Sequence, residues 1–339
     1  MNVLTVAIAG FGNVGRAAAH LLLLRRDRYR HRYGVDVRLV AVCGSKSGLF
    51  DDAGLEEIRF QNLEIGKTGP DFVVQSGADV LIEAGPSDYR SGSPGLDYMH
   101  AMLSVGRDVI VISKGALLRE GLDLRELARR SGAMLKISGA TAAALPTIDL
   151  FDYNLLGCSV LHVDGILNAT SNFLLDAMTS RDLEFEEALH EAQAAGFAER
   201  DPRNDTEGWD TASKLVILAN FSLGAKLSLD NLPVQGIQSI TKKQIDKWRE
   251  ERLVPKLVGS VSLKANKFHA RVEVRTFPLS DPFAHVSGNN KAIRISTDDM
   301  GEVLAIGSGS EPTATAAAAL KDLEHILAVR AGKNLEFES

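Results

Sequence analysis

The segment GFGNVG at residues 10–15 constrains this chain most, because it follows a β-branched run at residues 3–9 and opens a helical pattern at residues 15–24. In a strand–turn–helix context, the first glycine allows the tight turn, the second lets a pyrophosphate approach the backbone, and the third lets helix and strand pack closely. The N–H groups at the helix start then hold the phosphates. The segment therefore predicts a dinucleotide site, against a ligand-free glycine turn, with cofactor contacts at Gly10, Gly12, Asn13, Val14 and Gly15.

The first 150 residues alternate strand-like runs with helical stretches. The pattern predicts strands at residues 3–9, 37–42, 80–83, 109–113 and 134–137, and helices at residues 15–24, 95–105 and 124–131. This order implies parallel pairing with right-handed crossovers. A basic run at residues 25–38 is interpreted as a solvated helix end followed by a loop. The fold class predicted for this region is α/β, of the Rossmann type.

Beyond residue 150, predicted helices and strands mix without the regular strand–helix alternation. Strands are expected at residues 159–167, 268–274, 292–295 and 302–306, and helices at residues 168–178, 185–195, 211–220 and 313–329. The residues Phe268, Ala270, Val272 and Val274 recur with period two, as on one face of a strand. These patterns predict a second domain of the α+β class.

Composition excludes several classes of protein. With 339 residues, 45% hydrophobic and 24% charged, the chain is typical of soluble globular proteins. Its net charge of −6 gives no basic footprint for nucleic acid, and no apolar run approaches the ~20 residues of a membrane span. The N-terminus lacks the basic region of a signal peptide. Two cysteines, Cys43 and Cys158, make no disulfide framework and fit a cytoplasmic location. The eight histidines show no ligand spacing, so no transition metal is predicted.

The end of the second predicted strand bears on the choice between NAD and NADP. An acid there would bind the ribose 2′-hydroxyl of NAD. The chain has Cys43 at this point and continues with Ser45 and Lys46, which can receive a 2′-phosphate. An ordinary exposed loop lysine is the alternative. The cofactor is therefore expected to be NADP or NAD, with NADP slightly favoured.

Two further groups of residues are candidates for chemistry. Lys114 follows the apolar run DVIVIS, at the strand end where ligands bind in open α/β sheets, so it can reach the nicotinamide end of a cofactor. It can equally be a loop lysine. The candidates Glu199, Asp201, Asp205, Asp210 and Lys214 fall within sixteen residues. Asp210 and Lys214 are four residues apart on one helix face. Two interpretations remain open, a site for a zwitterionic substrate and an acidic helix start with a surface ion pair.

The chain resembles the homoserine dehydrogenase family over nearly its whole length. The segments that carry the resemblance are GFGNVG, VISKGAL, GILNATSNFLL, ALHEAQAAGFAERDPRNDTEGWDTASKLVILAN, DPFAHVSGNNKAIRI and GSGSEPTATAAAALKDL. The long fourth segment is specific to this family. The resemblance is to the short form, without an ACT or aspartokinase domain. It implies a nucleotide-binding domain at residues 1–135, a substrate-binding and dimerisation domain at 136–310, and a C-terminal helix in 311–339 that returns to the first domain.

The resemblance also implies a reaction and residue roles. The family reduces L-aspartate 4-semialdehyde to L-homoserine by hydride transfer from a nicotinamide nucleotide, in threonine and methionine biosynthesis. Lys114 and Lys214 match the catalytic lysines, and Lys114 also contacts the cofactor. Glu199 and Asp210 match the acids that bind the substrate amino group. The implied partners are an amino-acid substrate and a second copy of the chain, with no nucleic acid and no membrane.

Three departures from the family pattern keep other functions open. Ser113 replaces an asparagine, Ala169 replaces a glycine, and residues 138–146 lack the family's acid and its glycine pair. A monovalent cation binds near this last stretch in the family, so a cation near Ser138–Ala142 is doubtful. The alternatives are a related NAD(P)-dependent oxidoreductase acting on another hydroxy or oxo acid, and a non-catalytic nucleotide-binding sensor.

Overall fold

The structure, a computed structural model, describes residues 1–309 and 312–333 and divides into two compact units. One contains residues 1–143 and the C-terminal helix, and the other contains residues 144–309. In chain order the elements are β1 Asn2–Ala9, α1 Asn13–Leu24, α2 Arg26–Tyr33, β2 Val35–Cys43, β3 Ser47–Phe50, β4 Glu64–Ile65, α3 Pro70–Gln75, β5 Val80–Glu83, α4 Gly95–Ser104, β6 Asp108–Val111, α5 Gly115–Ser131, β7 Leu135–Lys136, α6 Ser138–Ala142, α7 Thr147–Asp149, β8 Val160–Ile166, α8 Ala169–Arg181, α9 Phe185–Ala194, α10 Arg203–Thr206, α11 Trp209–Leu223, α12 Lys242–Glu250, β9 Leu253–Lys264, β10 Lys267–Pro278, β11 Lys291–Thr297, β12 Glu302–Gly307 and α13 Pro312–Ala331.

The first unit is built on a seven-stranded sheet in the order β4-β3-β2-β1-β5-β6-β7. Strands β2, β1, β5, β6 and β7 are parallel, and β3 and β4 add an antiparallel edge. Strand β1 lies between β2 and β5, so the chain reverses its direction of travel across the sheet beside β1. This reversal is the switch point at which open α/β sheets bind ligands. The predicted α/β fold of the Rossmann type is confirmed.

Helix α13 packs on the first unit through a largely apolar face that includes Ala316, Ala319, Leu320 and Leu323. A polar contact holds its C-terminal end, where Arg330 binds the buried Asp108 carboxylate with an Nη2–Oδ2 distance of 2.8 Å. The first unit is therefore completed by a helix that follows the whole of the second unit in the sequence.

The basic run at residues 25–38 differs from its interpretation as a helix end followed by a loop, because residues 26–33 form the separate helix α2. Tyr29 and Tyr33 on this helix are buried. The Tyr33 hydroxyl donates to Glu324 on α13 at 2.9 Å, and Arg28 approaches the same carboxylate to 3.3 Å. Glu324, which is distant in the sequence, therefore compensates part of the positive charge of this basic run.

The second unit contains a five-stranded antiparallel sheet in the order β10-β9-β8-β11-β12. Helices α8, α11 and α12 pack against β9, which lies between β8 and β10. A Cβ atom at Gly259 would lie 3.2 Å from the Thr211 side chain, so the missing side chain lets α11 approach the sheet closely. The mixed helices and antiparallel strands confirm the α+β class. Among the described residues, no helix is both long enough and apolar enough to cross a membrane.

A buried lysine supports the loop before β11. Lys256 on β9 is fully buried, and its ammonium group donates to Val286 O at 2.6 Å and to Asn172 Oδ1 at 3.1 Å. The Asn172 amide donates to three carbonyl oxygens of the same loop, those of Val286, Gly288 and Asn290. Burial lowers the pKa of Lys256 to about 8, although the Asp176 carboxylate opposes the shift.

Candidate functional site

The glycine turn of the first unit lies between β1 and α1, as its sequence predicts. Gly10 has φ of +92°, and a Cβ atom there would lie 2.3 Å from the backbone of Ala84 and Gly85 at the end of β5. A Cβ atom at Gly15 would lie 2.1 Å from Gly10 O. Both positions therefore exclude a side chain, because the turn packs against β5 and the helix packs against the turn.

Gly12 has a different reason to be glycine. It is the N-cap residue of α1 with φ of −84°, and a Cβ atom there would meet no heavy atom within 4 Å. The first helical bond runs from Arg16 N–H to Gly12 O at 2.9 Å, so the N–H groups of residues 13–15 have no acceptor inside the helix. Because the fold itself tolerates a side chain at Gly12, the open space suits a ligand. A pyrophosphate group fits this arrangement of N–H donors at a helix start.

The end of β2 carries no acid. Cys43 is fully buried, with its sulfur 3.5 Å from the Tyr98 hydroxyl, and burial raises the pKa of its thiol. The chain then turns through a Gly44 N–H to Ser47 O bond of 2.8 Å. Ser45 and Lys46 at this turn are exposed, and the Lys46 ammonium group has no partner among the described residues. A cation is therefore available beside the place where NAD-specific proteins hold an acid.

Lys114 is the N-cap residue of α5, just beyond the carboxyl end of β6. Its N–H donates to Ser87 Oγ at 2.9 Å, and the residue is half-buried. The preceding Ser113 donates its hydroxyl to Glu83, which is 1% exposed at the end of β5. Burial raises the pKa of Glu83, while the Ser113 hydroxyl and the Gly85 N–H oppose the shift. This contact fixes the backbone that presents Lys114.

At the start of the stretch 138–146, the Ser138 side chain is engaged by other residues of the chain. Ser138 donates its hydroxyl to Asp322 at 2.7 Å and its N–H to the same carboxylate at 3.0 Å. The Lys321 ammonium group donates to Ser138 Oγ at 2.8 Å, so a positive charge already lies beside this oxygen. In the same stretch, Ala143 has φ of +54° and ψ of −115°, a conformation that favours glycine.

In the second unit, helix α11 brings Asp210 and Lys214 together. The Lys214 ammonium group donates to Asp210 Oδ2 at 2.6 Å and to Leu167 O at 2.9 Å. The two side chains are 15% and 9% exposed for lysine and aspartate. An ion pair this sheltered is screened less by solvent than the surface pair considered from the sequence. The carbonyl contact also fixes the lysine to the start of α8.

Asn168 joins this cluster and was not singled out from the sequence as a site residue. It is the N-cap residue of α8, and its Oδ1 accepts from Ser171 N–H at 2.7 Å. Its amide donates to Asp205 at 2.7 Å and to Asp210 at 2.8 Å, so one side chain bridges two carboxylates. Burial and the adjacent Asp210 charge raise the pKa of Asp205. Asparagine before a helical run is a capping signal that could have drawn attention to it.

The other acids of the sequence cluster lie outside this network. The Glu199 carboxylate is exposed and has no hydrogen-bond or ion-pair partner among the described residues. Asp201 is exposed and pairs with Arg203, which lowers the pKa of the acid to about 2. The structure therefore brings Asp205, Asp210 and Lys214 together and leaves Glu199 on a loop open to solvent. The role of Glu199 stays a prediction.

Protein-family models match both units of the chain. The model described as homoserine dehydrogenase matches residues 146–323, and the model described as homoserine dehydrogenase, NAD binding domain, matches residues 10–137. The second match includes the glycine turn and Lys114. The first includes Asn168, Asp210 and Lys214.

Individual proteins are similar over nearly the whole chain. A NAD(+)-dependent homoserine dehydrogenase of Pseudomonas canavaninivorans is 33% identical, covering 95% of each chain, and a homoserine dehydrogenase of Methanocaldococcus jannaschii is 31% identical, covering 95% of this chain and 98% of the relative. The crystal structure of a homoserine dehydrogenase from Thiobacillus denitrificans superposes with a TM-score of 0.87 at 26% identity, covering 98% of this chain and 75% of that chain. On this evidence of sequence and fold, the chain belongs to the homoserine dehydrogenase family.

Proposed function

We propose that this chain is an NAD(P)-dependent oxidoreductase that reduces L-aspartate 4-semialdehyde to L-homoserine. Family membership supports this reaction, and the observation that carries it is the sheltered Lys214 held by Asp210 and Leu167 O. An ammonium group has three donors. Two of them are used within the chain, so the third is available to the reacting oxygen of a substrate.

Each side chain of the cluster has its own role in the proposed reaction. A nicotinamide nucleotide held at the glycine turn would supply the hydride for reduction of the aldehyde. Lys214 donates to the carbonyl oxygen and stabilises the negative charge that develops on it. Asp210 orients Lys214 and, with Glu199, binds the substrate ammonium group. Asn168 donates to Asp210 and Asp205, which separates their charges and keeps Asp210 in place.

Lys114 is proposed as the second catalytic lysine and as a contact of the cofactor. The position of Lys114 after β6 supports this role, because the same carboxyl edge of the sheet also carries the glycine turn. The Ser113–Glu83 contact holds this corner. Lys114 and Lys214 together supply the proton and the positive charge that the reduction of a carbonyl requires.

We propose that NADP binds at least as well as NAD, because Ser45 and Lys46 are exposed where an acid would favour NAD. Lys46→Ala should weaken NADP binding and leave NAD binding unchanged, since only NADP carries the phosphate that an ammonium group can bind. Cofactor fluorescence titrations of both proteins measure this. Equal losses for the two cofactors, or a clear NAD preference in the parent, contradict the proposal. We further propose a cytoplasmic homodimer, in line with the resemblance.

The reaction is tested by nicotinamide absorbance with purified protein, L-homoserine and each oxidised cofactor. Lys214→Ala and Lys114→Ala should each lower kcat by about 10²- to 10⁴-fold and leave nucleotide affinity intact. Glu199→Ala should raise KM more than it lowers kcat, since it removes a ground-state contact. Lys247→Ala, at an exposed position on α12, is the matched control and should behave like the parent.

Two outcomes overturn parts of this proposal separately. Near-parental kcat in both lysine variants would show that the assigned roles are wrong. If the parent binds a nicotinamide nucleotide and never oxidises homoserine, the proposed substrate is wrong. That result would favour a related reductase that acts on another hydroxy or oxo acid.

A further inference from the structure

The sheet of the second unit has one face covered by helices and an opposite face rich in polar side chains. On that opposite face, the register places His162 beside Ser262 and Asp164 beside Ser260 on β8 and β9. It also places His269 and Arg271 of β10 beside the same two serines. Because alternate residues of a strand share a face, these side chains lie on one side of the sheet.

A cavity of about 450 Å³ opens on this face. Two histidines, two serines, two arginines, a lysine and an alanine line it, and no carboxylate is among the lining residues. Every polar side chain of the wall carries a hydrogen-bond donor, although Ser260 uses its one proton on Asp164. A wall made only of donors and cations is complementary to an anion with several acceptor oxygens.

The floor of the cavity is rigidly built around Asp164, whose side chain is 4% exposed. It accepts from His162 at 2.9 Å, from Ser260 at 2.6 Å and from Arg275 at 2.6 Å. Burial opposes its charge, but the His162 and Ser260 hydrogen bonds prevail and lower the pKa of Asp164 to about 2. The carboxylate is thus occupied by the chain itself, and it holds the side chains of His162, Ser260 and Arg275 in place.

The rim supplies donors that the chain does not use. The side chains of Ser262, Lys264 and His269 have no hydrogen bond or ion pair with any residue in the described parts of the chain. Arg271 uses its Nε on Glu273 at 2.8 Å, which leaves its terminal nitrogens for another acceptor. Side chains held in place below and unused donors above make a site prepared for a ligand.

We propose that this cavity binds a phosphate-type oxyanion, either free or as the phosphate group of a small metabolite, at a site separate from Asp210 and Lys214. A phosphate offers acceptors in all directions, which suits the donors of two neighbouring strands, β9 and β10. The guanidinium groups of Arg271 and Arg275 match its oxygens in pairs. A carboxylate has fewer acceptor sites and would leave part of this wall unpaired.

The test is isothermal titration of inorganic phosphate into the full chain in its native assembly, with ionic strength held constant by chloride. The variant carries Lys264→Gln and His269→Asn, two exposed side chains without partners in the described chain, so the fold should be kept. Lys267→Gln, on the same hairpin and outside the cavity, removes an equal charge as the matched control. A second titration with glycerol phosphate shows whether an ester is accepted.

The parent should show saturable binding, and the double variant should bind phosphate about tenfold or more weakly, while Lys267→Gln binds like the parent. Phosphate bound at the nucleotide turn would be the same in all three proteins and would not produce this pattern. No saturable binding in the parent, as when a second copy of the chain covers the cavity, would overturn the proposal. Equal affinities in the parent and the double variant would also overturn it.

Discussion

Replacement of Ala143 by glycine should stabilise the protein, which is unusual for an alanine-to-glycine change. Ala143 has φ of +54° and ψ of −115°, outside the regions that a residue with a Cβ atom populates. Such a backbone conformation costs about 1–3 kcal/mol. Glycine removes that cost but raises the entropy of the unfolded chain, which costs about 0.4–1 kcal/mol. The net gain in free energy of unfolding should be about 1 kcal/mol, or about 2–4 °C in Tm.

Ala144→Gly is the matched control, because Ala144 is the exposed neighbour and does not have positive φ. It carries the entropy cost without the relief of strain, so it should destabilise by about 0.4–1 kcal/mol. Urea and thermal unfolding of the parent and both variants give the comparison. If Ala143→Gly destabilises the protein as much as Ala144→Gly, the strain at Ala143 does not exist and the reasoning fails.

Two further predictions follow from contrasts within each unit. Gly12→Ala should leave Tm nearly unchanged and weaken nucleotide binding, because its Cβ atom enters open space, whereas Gly10→Ala should lower Tm because its Cβ atom meets backbone at 2.3 Å; equal effects on Tm would contradict this contrast. Lys256 has a pKa of about 8 in the folded protein against 10.5 as its ordinary value. Between these values the unfolded chain holds the proton more tightly, so the free energy of unfolding should rise as pH increases from about 8 to 10.5. Lys256→Met should lose this rise, and parallel curves for parent and variant in urea titrations would refute the assignment.

The five parallel strands of the first unit were predictable because their signal is local, whereas the short edge strands β3 and β4 were not predicted. Strand β5 was predicted and observed at Val80–Glu83, where three apolar residues precede Glu83 and the strand is buried between parallel neighbours. Strand β9 was missed because it contains Pro255, Lys256 and Gly259, which read as a loop. What allows Lys256 into a strand is the Asn172 amide oxygen, 84 residues away in sequence. A contact between residues that only the fold brings together leaves no signal in the local sequence pattern.

The candidate site shows the same division. The pairing of Asp210 with Lys214 was predictable, since four residues along a helix bring two side chains to one face. The bridge from Asn168 to Asp205 and Asp210 was not, because it spans 37 and 42 residues between different elements. The glycine turn was predictable as a motif, yet only the structure separates Gly12, which the fold does not need, from Gly10 and Gly15, which it does.

The attachment of α13 to the first unit has a consequence for the order in which the protein is made. During synthesis residues 144–309 leave the ribosome before α13 does, so the second unit can fold while the sheet of the first still exposes the apolar surface that α13 covers. The nucleotide-binding unit is therefore the first to be synthesised in part and the last to complete its fold. Until α13 has been synthesised, Ser138 lacks its contact with Asp322, and Asp108 lacks its contact with Arg330. The nascent chain is most exposed to aggregation in this interval.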